Sequence, residues 1–298
     1  MVDQIVGPPR PRLAPDIYTD RYYLTSCHGH EDFVQTAGKR VGPRFAKALS
    51  LAGDLAAKRV LDVGCGRGEL VIQPAMRGAE AWGIDYSAAA VAIAEGALSD
   101  AAPDTRARMH FAEMDVTSLR FPDGFFDVVF MMDVVEHLYP HELRAALTEV
   151  RRVMRRGGTL VLHTSPNRVF ERFVYPTLSR HVNGWFLAAA KYFGRRDTLF
   201  NEMMLPTGPG FPHGEYERAM HINEQSAGGL RRSLARAGFN PERTEFWEPP
   251  LKGKYFATDE LNAWLRLLDF LRFLRPASRY PPLSRWFCNH IWITAEPR

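Results

Sequence analysis

Short apolar runs alternate with segments of helical periodicity between residues 58 and 165. This alternation is typical of βαβ units and predicts a parallel sheet with helices in the intervening segments. The spacing predicts five strands in this part of the chain. They are Arg59–Val63, Glu80–Ile84, Arg108–Glu113, Phe126–Met131 and Thr159–Thr164.

The pattern loosens after Pro166 and becomes regular again near residue 220. A helix is predicted there, with Asn223 as its N-cap and Gly238 as a left-handed stop. A sixth strand is predicted near Thr244–Trp247 and a final strand over Trp286–Ala295. A further helical pattern covers 258–275, and because its polar face is thin, this helix is expected to be buried, to cover a pocket or to lie on an apolar surface.

Composition and charge narrow the class of protein. The 298 residues are 46% hydrophobic, 24% charged and 12% aromatic, as expected for a soluble globular chain. The net charge of +4 is too small to indicate nucleic-acid binding. Cys27, Cys65 and Cys288 form no paired motif, and no leader or run of about 18 apolar residues is evident, so we expect a cytoplasmic protein.

The first strand runs into a glycine-rich turn, Gly64-Cys65-Gly66-Arg67-Gly68, which opens a helix. Glycines allow unusual backbone angles and close approach of a ligand, and a helix N-terminus presents free N–H groups to negative charge. The turn alone also fits NAD-binding domains or tight packing without a ligand. Cys65 is interpreted as a small loop residue and not as a nucleophile.

Acidic residues follow the next strands. Asp85 ends the second strand, where a carboxylate can bind both hydroxyls of a ribose, although it could also cap the helix before Ser87. Asp115 follows the third strand and could accept a hydrogen bond from an adenine amino group. Glu136 and His137 lie just beyond the fourth strand, and the carboxyl ends of parallel strands meet at one crevice.

These motifs together resemble the class I S-adenosylmethionine-dependent methyltransferases, particularly the small-molecule type that includes ubiquinone-pathway and natural-product O-methyltransferases. The resemblance covers residues 58–165 closely. The matching elements are the glycine turn, Asp85, Asp115, the segment 133–137, the segment 153–158 before the fifth strand, and, downstream, His221-Ile222-Asn223-Glu224 and Ala237-Gly238-Phe239.

The resemblance implies an α/β fold with a Rossmann-like, seven-stranded sheet whose last strand is antiparallel. We expect residues 1–50 to form an N-terminal helical lid segment and 51–298 the methyltransferase domain. Helical insertions at about 168–220 and 251–283 are expected to shape the acceptor pocket, and their aromatic residues slightly favour a large or apolar acceptor.

The resemblance also implies how S-adenosylmethionine is bound, with S-adenosylhomocysteine as the product. The methionine moiety is expected near the glycine turn, the ribose on Asp85 and the adenine beside Tyr86. Asp62 would act through the glycine loop or water, and an N-terminal segment carrying Tyr22 would fold over the cofactor. The expected cofactor-binding residues are Asp62, Gly64, Cys65, Gly66, Gly68, Asp85, Tyr86, Asp115, Val116, Met132, Asp133 and Tyr22.

A hydroxyl acceptor benefits from a base, and His137 is the first candidate because imidazole titrates near neutral pH. Packing at the start of a helix is an equal alternative for His137, while Glu136 or His221 could serve instead. His163, inside the fifth strand, is interpreted as structural. Cys27-His28-Gly29-His30 is weak evidence for a metal site, so no metal is expected.

The predicted reaction is methylation of a hydroxyl of a sugar, polyketide or other secondary metabolite. Alternatives are methylation of a lipid-linked or isoprenoid acceptor at a membrane surface, including C-methylation, a non-catalytic cofactor-binding or interaction protein, and an NAD dehydrogenase. Nucleic-acid base methylation is disfavoured because the Asn/Asp-Pro-Pro-aromatic motif expected after the fourth strand is replaced by Met132-Asp133-Val134-Val135. The oligomeric state is left open.

Overall fold

Seven strands form one mixed sheet in the computed structural model, which describes residues 13–27, 29–179, 181, 220–247 and 281–298. The strands are β1 (Arg59–Val63), β2 (Glu80–Asp85), β3 (Met109–Glu113), β4 (Phe126–Met132), β5 (Met154–Thr164), β6 (Phe239–Glu245) and β7 (Ile291–Pro297). Their order across the sheet is β3-β2-β1-β4-β5-β7-β6, and β7 runs antiparallel to both of its neighbours. The predicted fold class, with its reversed last strand, is confirmed.

Helices flank this sheet. They are α1 (His30–Thr36), α2 (Pro43–Ala52), α3 (Glu69–Met76), α4 (Ala88–Gly96), α5 (Pro103–Arg106), α6 (Pro140–Val153), α7 (Ala227–Arg236) and α8 (Ser284–Phe287). Short 3₁₀ turns span Pro15–Ile17, Ala97–Asp100 and Val135–His137, and π-type helical segments span Tyr22–Ser26 and Phe170–Ser179. No helix in the described ranges is long and apolar enough to cross a membrane.

The central strands are buried on both faces, which explains why they read as continuous apolar runs. In β4, Val129 and Met131 enter the core that contains residues of α6 and α7, while Val128 and Phe130 enter the core that contains residues of α2 and α3. Successive strand residues point to opposite faces, so one strand supplies both cores. The sheet is therefore sandwiched between two helical layers.

The strand order reverses between β1 and β4. From β1 the chain proceeds outward through β2 and β3, then crosses back to β4 and continues through β5 in the other direction. In open α/β sheets a crevice forms at the carboxyl ends of the strands where such a reversal occurs. The glycine turn after β1 and the segment after β4 both lie at this edge.

Strand boundaries differ from prediction mainly in the second half of the chain. The β5 strand begins at Met154 and not at Thr159, because Phe126 already pairs with Met154 ahead of a register shift. The β6 strand begins at Phe239, which pairs with Pro297 of β7, so the prediction of a strand near Thr244–Trp247 was too late.

The predicted start of α7 was also wrong. Ser226 is the N-cap, since its hydroxyl accepts a hydrogen bond from the Gly229 N–H at 3.2 Å. The backbone N–H of Asn223, the predicted cap, instead donates to the carbonyl of Glu136 at 3.0 Å. Gly238, which follows α7, has a φ of 88°, so the predicted left-handed stop is confirmed.

The last strand begins later in the sequence than predicted. Residues from Ser284 to Phe287 form α8, and β7 begins only at Ile291. The predicted helix over 258–275 and most of the insertions at about 168–220 and 251–283 lie outside the described residues, so those assignments and the division at residue 50 stay predictions.

Packing around Phe126 offers a test of the core. Phe126 is fully buried and packs edge-to-face against Trp82, Phe121 and Phe125. We expect Phe126→Ala to lower the free energy of unfolding by about 3–5 kcal/mol in urea denaturation. Phe173→Ala is the matched control, because Phe173 is 62% exposed and its truncation should change stability by no more than about 0.5 kcal/mol. Similar losses for the two variants would contradict this packing.

Candidate active site

The glycine turn requires its glycines. Gly64, Gly66 and Gly68 have φ values of 69°, 52° and 87°. A Cβ on Gly64 would lie 2.7 Å from a methyl of Val134, and one on Gly68 would lie 2.9 Å from the Phe111 ring. Both the left-handed backbone and the close packing therefore exclude larger residues.

Asp85 binds the turn from the end of β2. Its Oδ2 accepts a hydrogen bond from the Gly66 N–H at 3.0 Å, and its Oδ1 accepts one from the Ser87 N–H at 3.0 Å. Burial raises the pKa of the carboxyl, while these N–H groups oppose the shift. The alternative of Asp85 as a helix cap is wrong, because Ser87 caps α4 by accepting from the Ala90 N–H.

A cavity of about 510 Å³ opens at this edge of the sheet, within the usual range for small-molecule sites. It is lined by every predicted site residue except Gly68, which shapes the turn beneath it. The predicted residues that line it are Tyr22, Asp62, Gly64, Cys65, Gly66, Asp85, Tyr86, Asp115, Val116, Met132, Asp133, Glu136, His137 and His221. The structure thus brings together residues from six separate parts of the sequence.

Asp115 shows how the third strand contributes. Its Oδ1 accepts hydrogen bonds from the Thr117 N–H at 2.8 Å and the Thr117 hydroxyl at 2.9 Å. The residue also lines the cavity, where a ligand can contact it. Val116, which follows it, packs into the core that contains residues of α6 and α7.

Arg67, within the glycine turn, was missed as a functional residue in the sequence analysis. Its guanidinium is buried and donates to Glu69 Oε1 at 2.6 and 2.9 Å. It also donates to the carbonyls of Tyr23 at 2.7 Å and Cys27 at 3.3 Å. These bonds hold the segment Tyr22–Ser26 over the glycine turn. The one signal in the sequence for this role is that a charged residue lies between two glycines.

Tyr18 extends the same cover across the cavity. Its carbonyl accepts from the Ser87 hydroxyl at 3.1 Å, and its ring packs edge-to-face against Tyr86. Its hydroxyl lies 3.1 Å from Nδ1 of His137. The N-terminal segment therefore spans the cavity from the Asp85 side to the His137 side.

Asp133 has an unusual backbone, with a φ of 55° at a residue other than glycine. Its carboxylate contacts Arg44 Nη1 at 2.8 Å and His163 Nδ1 at 2.7 Å. Burial alone would raise the pKa of this carboxyl, but the positive charge of Arg44 and the contact with His163 lower it below its ordinary value. Arg44 was not singled out from the sequence, and His163, read as structural, reaches the cavity wall through Asp133.

Glu136 and His137 lie on the 3₁₀ turn after β4. Glu136 is buried, and its Oε2 accepts from the Thr164 hydroxyl at 2.9 Å. Burial and the neighbouring charge of Asp133 raise the pKa of Glu136 well above its usual range. Burial lowers the pKa of His137, so its imidazole is neutral at neutral pH.

The tautomer of His137 follows from its neighbours. Nδ1 lies 3.2 Å from the carbonyl oxygen of Met220, which can only accept a hydrogen bond. Nδ1 therefore carries the hydrogen, and Nε2 keeps its lone pair. The ring of His221 lies 5.1 Å from that of His137, centroid to centroid.

One ligand atom each from Glu136, His137 and His221 lie within 4.8 Å of one another, the spacing of a metal site. Among the residues that the structure describes, this is the group with that geometry. The ring of His30 instead approaches the carbonyl of Cys27 at 3.1 Å, and His28 lies outside the described residues. The expectation of no metal stays a prediction.

Comparisons with known proteins agree with this geometry. Residues 60–158 match the family model described as "Methyltransferase domain". Demethylmenaquinone methyltransferase of Thermus thermophilus is 33% identical over 152 residues, which cover 47% of this chain and 66% of that protein. The 27-O-demethylrifamycin SV methyltransferase of Amycolatopsis mediterranei is 36% identical over 147 residues, covering 45% and 49%. The matched part is thus less than two thirds of either relative.

A solved structure supports the same fold. The S-adenosylmethionine-dependent methyltransferase from Mesorhizobium loti superposes with a TM-score of 0.53 at 17% identity, covering 85% of this chain and 97% of that one. The similarity extends beyond the segment that sequence comparison matches.

The buried Arg67–Glu69 pair yields a test of the cover over the turn. Arg67→Met removes the guanidinium and leaves Glu69 buried without it, so we expect a loss of about 3–5 kcal/mol in the free energy of unfolding. Adding Glu69→Gln should restore much of that loss, because the uncompensated charge is gone. Arg155→Met, at a half-exposed ion pair with Asp127, should cost no more than about 1 kcal/mol. Equal costs at Arg67 and Arg155 would contradict the assignment.

Proposed function

We propose that this chain, whose residues 60–158 match a methyltransferase domain, is a class I S-adenosylmethionine-dependent enzyme that transfers the cofactor's methyl group to a hydroxyl of a small-molecule acceptor. The observation that carries the proposal is the convergence of the glycine turn, Asp85 and a neutral His137 on one cavity. When bound, the cofactor supplies an electrophilic methyl group on a sulfonium. The protein itself positions the cofactor and the acceptor and accepts the proton of the hydroxyl.

The cavity suits a cationic cofactor that carries an adenosine. Asp85 keeps acceptor capacity beyond its two backbone N–H partners and can accept from ribose hydroxyls. Asp115 lies on the same wall and can accept from the adenine amino group. Acidic side chains outnumber arginines along the lining, and the ionised carboxylate of Asp133 favours the sulfonium and ammonium groups.

Arg44 fits the one anionic group of the cofactor. Its Nη1 pairs with Asp133, while its Nε is buried with no hydrogen-bond partner in the described part of the chain. An unsatisfied buried N–H is costly, so an acceptor is expected there. We assign the carboxylate of the methionine moiety to Arg44, beside the backbone of Met132 and Asp133.

His137 is the base best supported by the surroundings. Its Nε2 carries a lone pair, whereas the raised pKa of Glu136 keeps a proton on that carboxyl. The hydroxyl of Tyr18 and the carbonyl of Met220 both contact Nδ1 and fix the ring. The proton of the acceptor hydroxyl moves to Nε2 as its oxygen attacks the methyl carbon, with His221 alongside.

An oxygen acceptor is supported by the relative whose name specifies 27-O-demethylrifamycin SV. The acceptor proposed for this chain is a phenolic, sugar or polyketide hydroxyl. Carboxylates along the cavity disfavour an acceptor that carries a phosphate close to the reacting hydroxyl.

Cofactor binding is tested by calorimetric titration with S-adenosylmethionine and S-adenosylhomocysteine. We expect micromolar binding by the wild type and none detectable for Asp85→Ala, because the ribose acceptor and the support of the Gly66 N–H are lost together. Asp104→Ala, at an exposed acid of α5, is the control and should bind as the wild type does. Absence of binding by folded wild type would overturn the proposed function.

The base is tested with His137→Gln and an acceptor found by screening phenolic, sugar and polyketide hydroxyls. We expect kcat to fall by about 10²–10⁴ while cofactor affinity is retained. Since burial lowers the pKa of His137, wild-type kcat should decline only as pH falls below about 6.5, and the variant should lack that decline. His141→Gln, on the exposed face of α6, is the control. An unchanged kcat in His137→Gln would exclude the base while leaving methyl transfer intact.

A further inference from the structure

Four side chains from distant parts of the sequence form one connected row behind the cavity. Arg44 Nη1 lies 2.8 Å from Asp133 Oδ2, and His163 Nδ1 lies 2.7 Å from Asp133 Oδ1. On its far side, His163 Nε2 lies 2.9 Å from Nδ1 of His290. Arg44 and Asp133 line the cavity, whereas His163 and His290 do not.

The position of the hydrogens along this row follows from the partners. The ionised Asp133 carboxylate carries no hydrogen, so the hydrogen is on Nδ1 of His163, which lies 2.7 Å from Asp133 Oδ1 in a close electrostatic contact whose angle falls short of a hydrogen bond. Burial lowers the pKa of His163, which leaves the imidazole neutral with its lone pair on Nε2. His290 therefore donates from Nδ1 to His163, and both histidines are oriented toward Asp133.

The ring of His163 is held in place by packing as well. It is fully buried, with its centroid 4.3 Å from the ring of Trp292 and 5.1 Å from that of His290. The carbonyl of His163 also accepts the backbone N–H of Asp133 at 3.0 Å. Main chain and side chain of one β5 residue thus both contact Asp133.

Asp133 requires such support. Its left-handed backbone costs free energy at a residue with a Cβ, and the residues that follow it, including Glu136 and His137, line the cavity. If the His163 contact is lost, the carboxylate can rotate and the guanidinium of Arg44, held by the same carboxylate, can turn with it. The free Nε of Arg44 would then lose its direction.

We propose that His163 and His290 are positioning residues for the methionine end of the cofactor site, acting through Asp133 on Arg44 and on the backbone at residues 132–133. This inference rests on the proposed function, because that function places the methionine moiety there. A role in general stability would weaken every ligand alike. A positioning role should affect only ligands that carry the amino and carboxyl groups.

Two ligands separate these roles in calorimetric titrations of the full chain. S-Adenosylhomocysteine carries the amino and carboxyl groups, and 5′-methylthioadenosine keeps the adenosine and sulfur but lacks both. We expect His163→Leu to weaken the binding of S-adenosylhomocysteine about tenfold or more, because the carboxylate of Asp133 loses its close polar contact with the imidazole. Binding of 5′-methylthioadenosine should stay within about twofold of wild type.

Further variants sharpen the comparison. His163→Asn keeps an N–H donor near Asp133 and should recover part of the affinity. His290→Leu, at a partly exposed ring, should give a smaller loss with the same dependence on ligand, and it serves if His163→Leu does not fold. His110→Leu, at a half-exposed histidine paired with Glu80 on β2, is the control and should bind both ligands normally.

Each outcome of these titrations either supports or overturns the positioning role of His163 and His290. Selective loss of S-adenosylhomocysteine in the His163 and His290 variants supports the positioning role. Equal loss of both ligands, or no loss of either, overturns it while the cofactor site stands. Failure of folded wild type to bind either ligand overturns the proposed function and this inference together.

Discussion

The buried guanidinium of Arg67 connects the N-terminal segment to the glycine turn after β1. Burying a charge costs several kcal/mol, and the Glu69 carboxylate and two backbone carbonyls offset that cost only while all three stay in place. An apolar residue could fill the same volume without this dependence. The charge therefore links the position of Tyr22–Ser26 to the glycine turn, and Tyr22 and Tyr23 of this segment line the cavity.

The charges of the residues that follow β4 depend on a different set of contacts. Asp133 and Glu136 are near neighbours in sequence, yet their pKa values move in opposite directions. Arg44 and His163 stabilise the charged form of Asp133, whereas burial and the charge on Asp133 disfavour a second charge on Glu136. Carboxyls separated in this way take different roles, so Asp133 is suited to binding cations and Glu136 is not suited to accepting a proton. This contrast is why we propose the neutral His137 as the base.

The sequence analysis correctly predicted the features of the fold that depend on residues close together in the chain. The bounds of β1, the glycine turn, Asp85 and the residues after β4 followed from apolar runs and from the rule that parallel strands end at one crevice. The sequence analysis missed the roles of Arg44, Arg67 and His163, because each contacts a partner far along the chain. It also predicted too late a start for β5, because Met154 pairs with Phe126 ahead of a register shift. A charged residue among buried neighbours is the weak signal that such partners exist.

The sheet topology separates the two ends of the proposed cofactor site. The residues proposed to bind adenosine follow β1, β2 and β3 on one half of the sheet, whereas β5, β7 and β6 form the other half. The antiparallel β7 lies between β5 and β6, so the residue before its start, His290, lies beside His163. The row from His290 through His163 to Asp133 therefore connects the β7 side of the sheet to the proposed methionine end of the cavity.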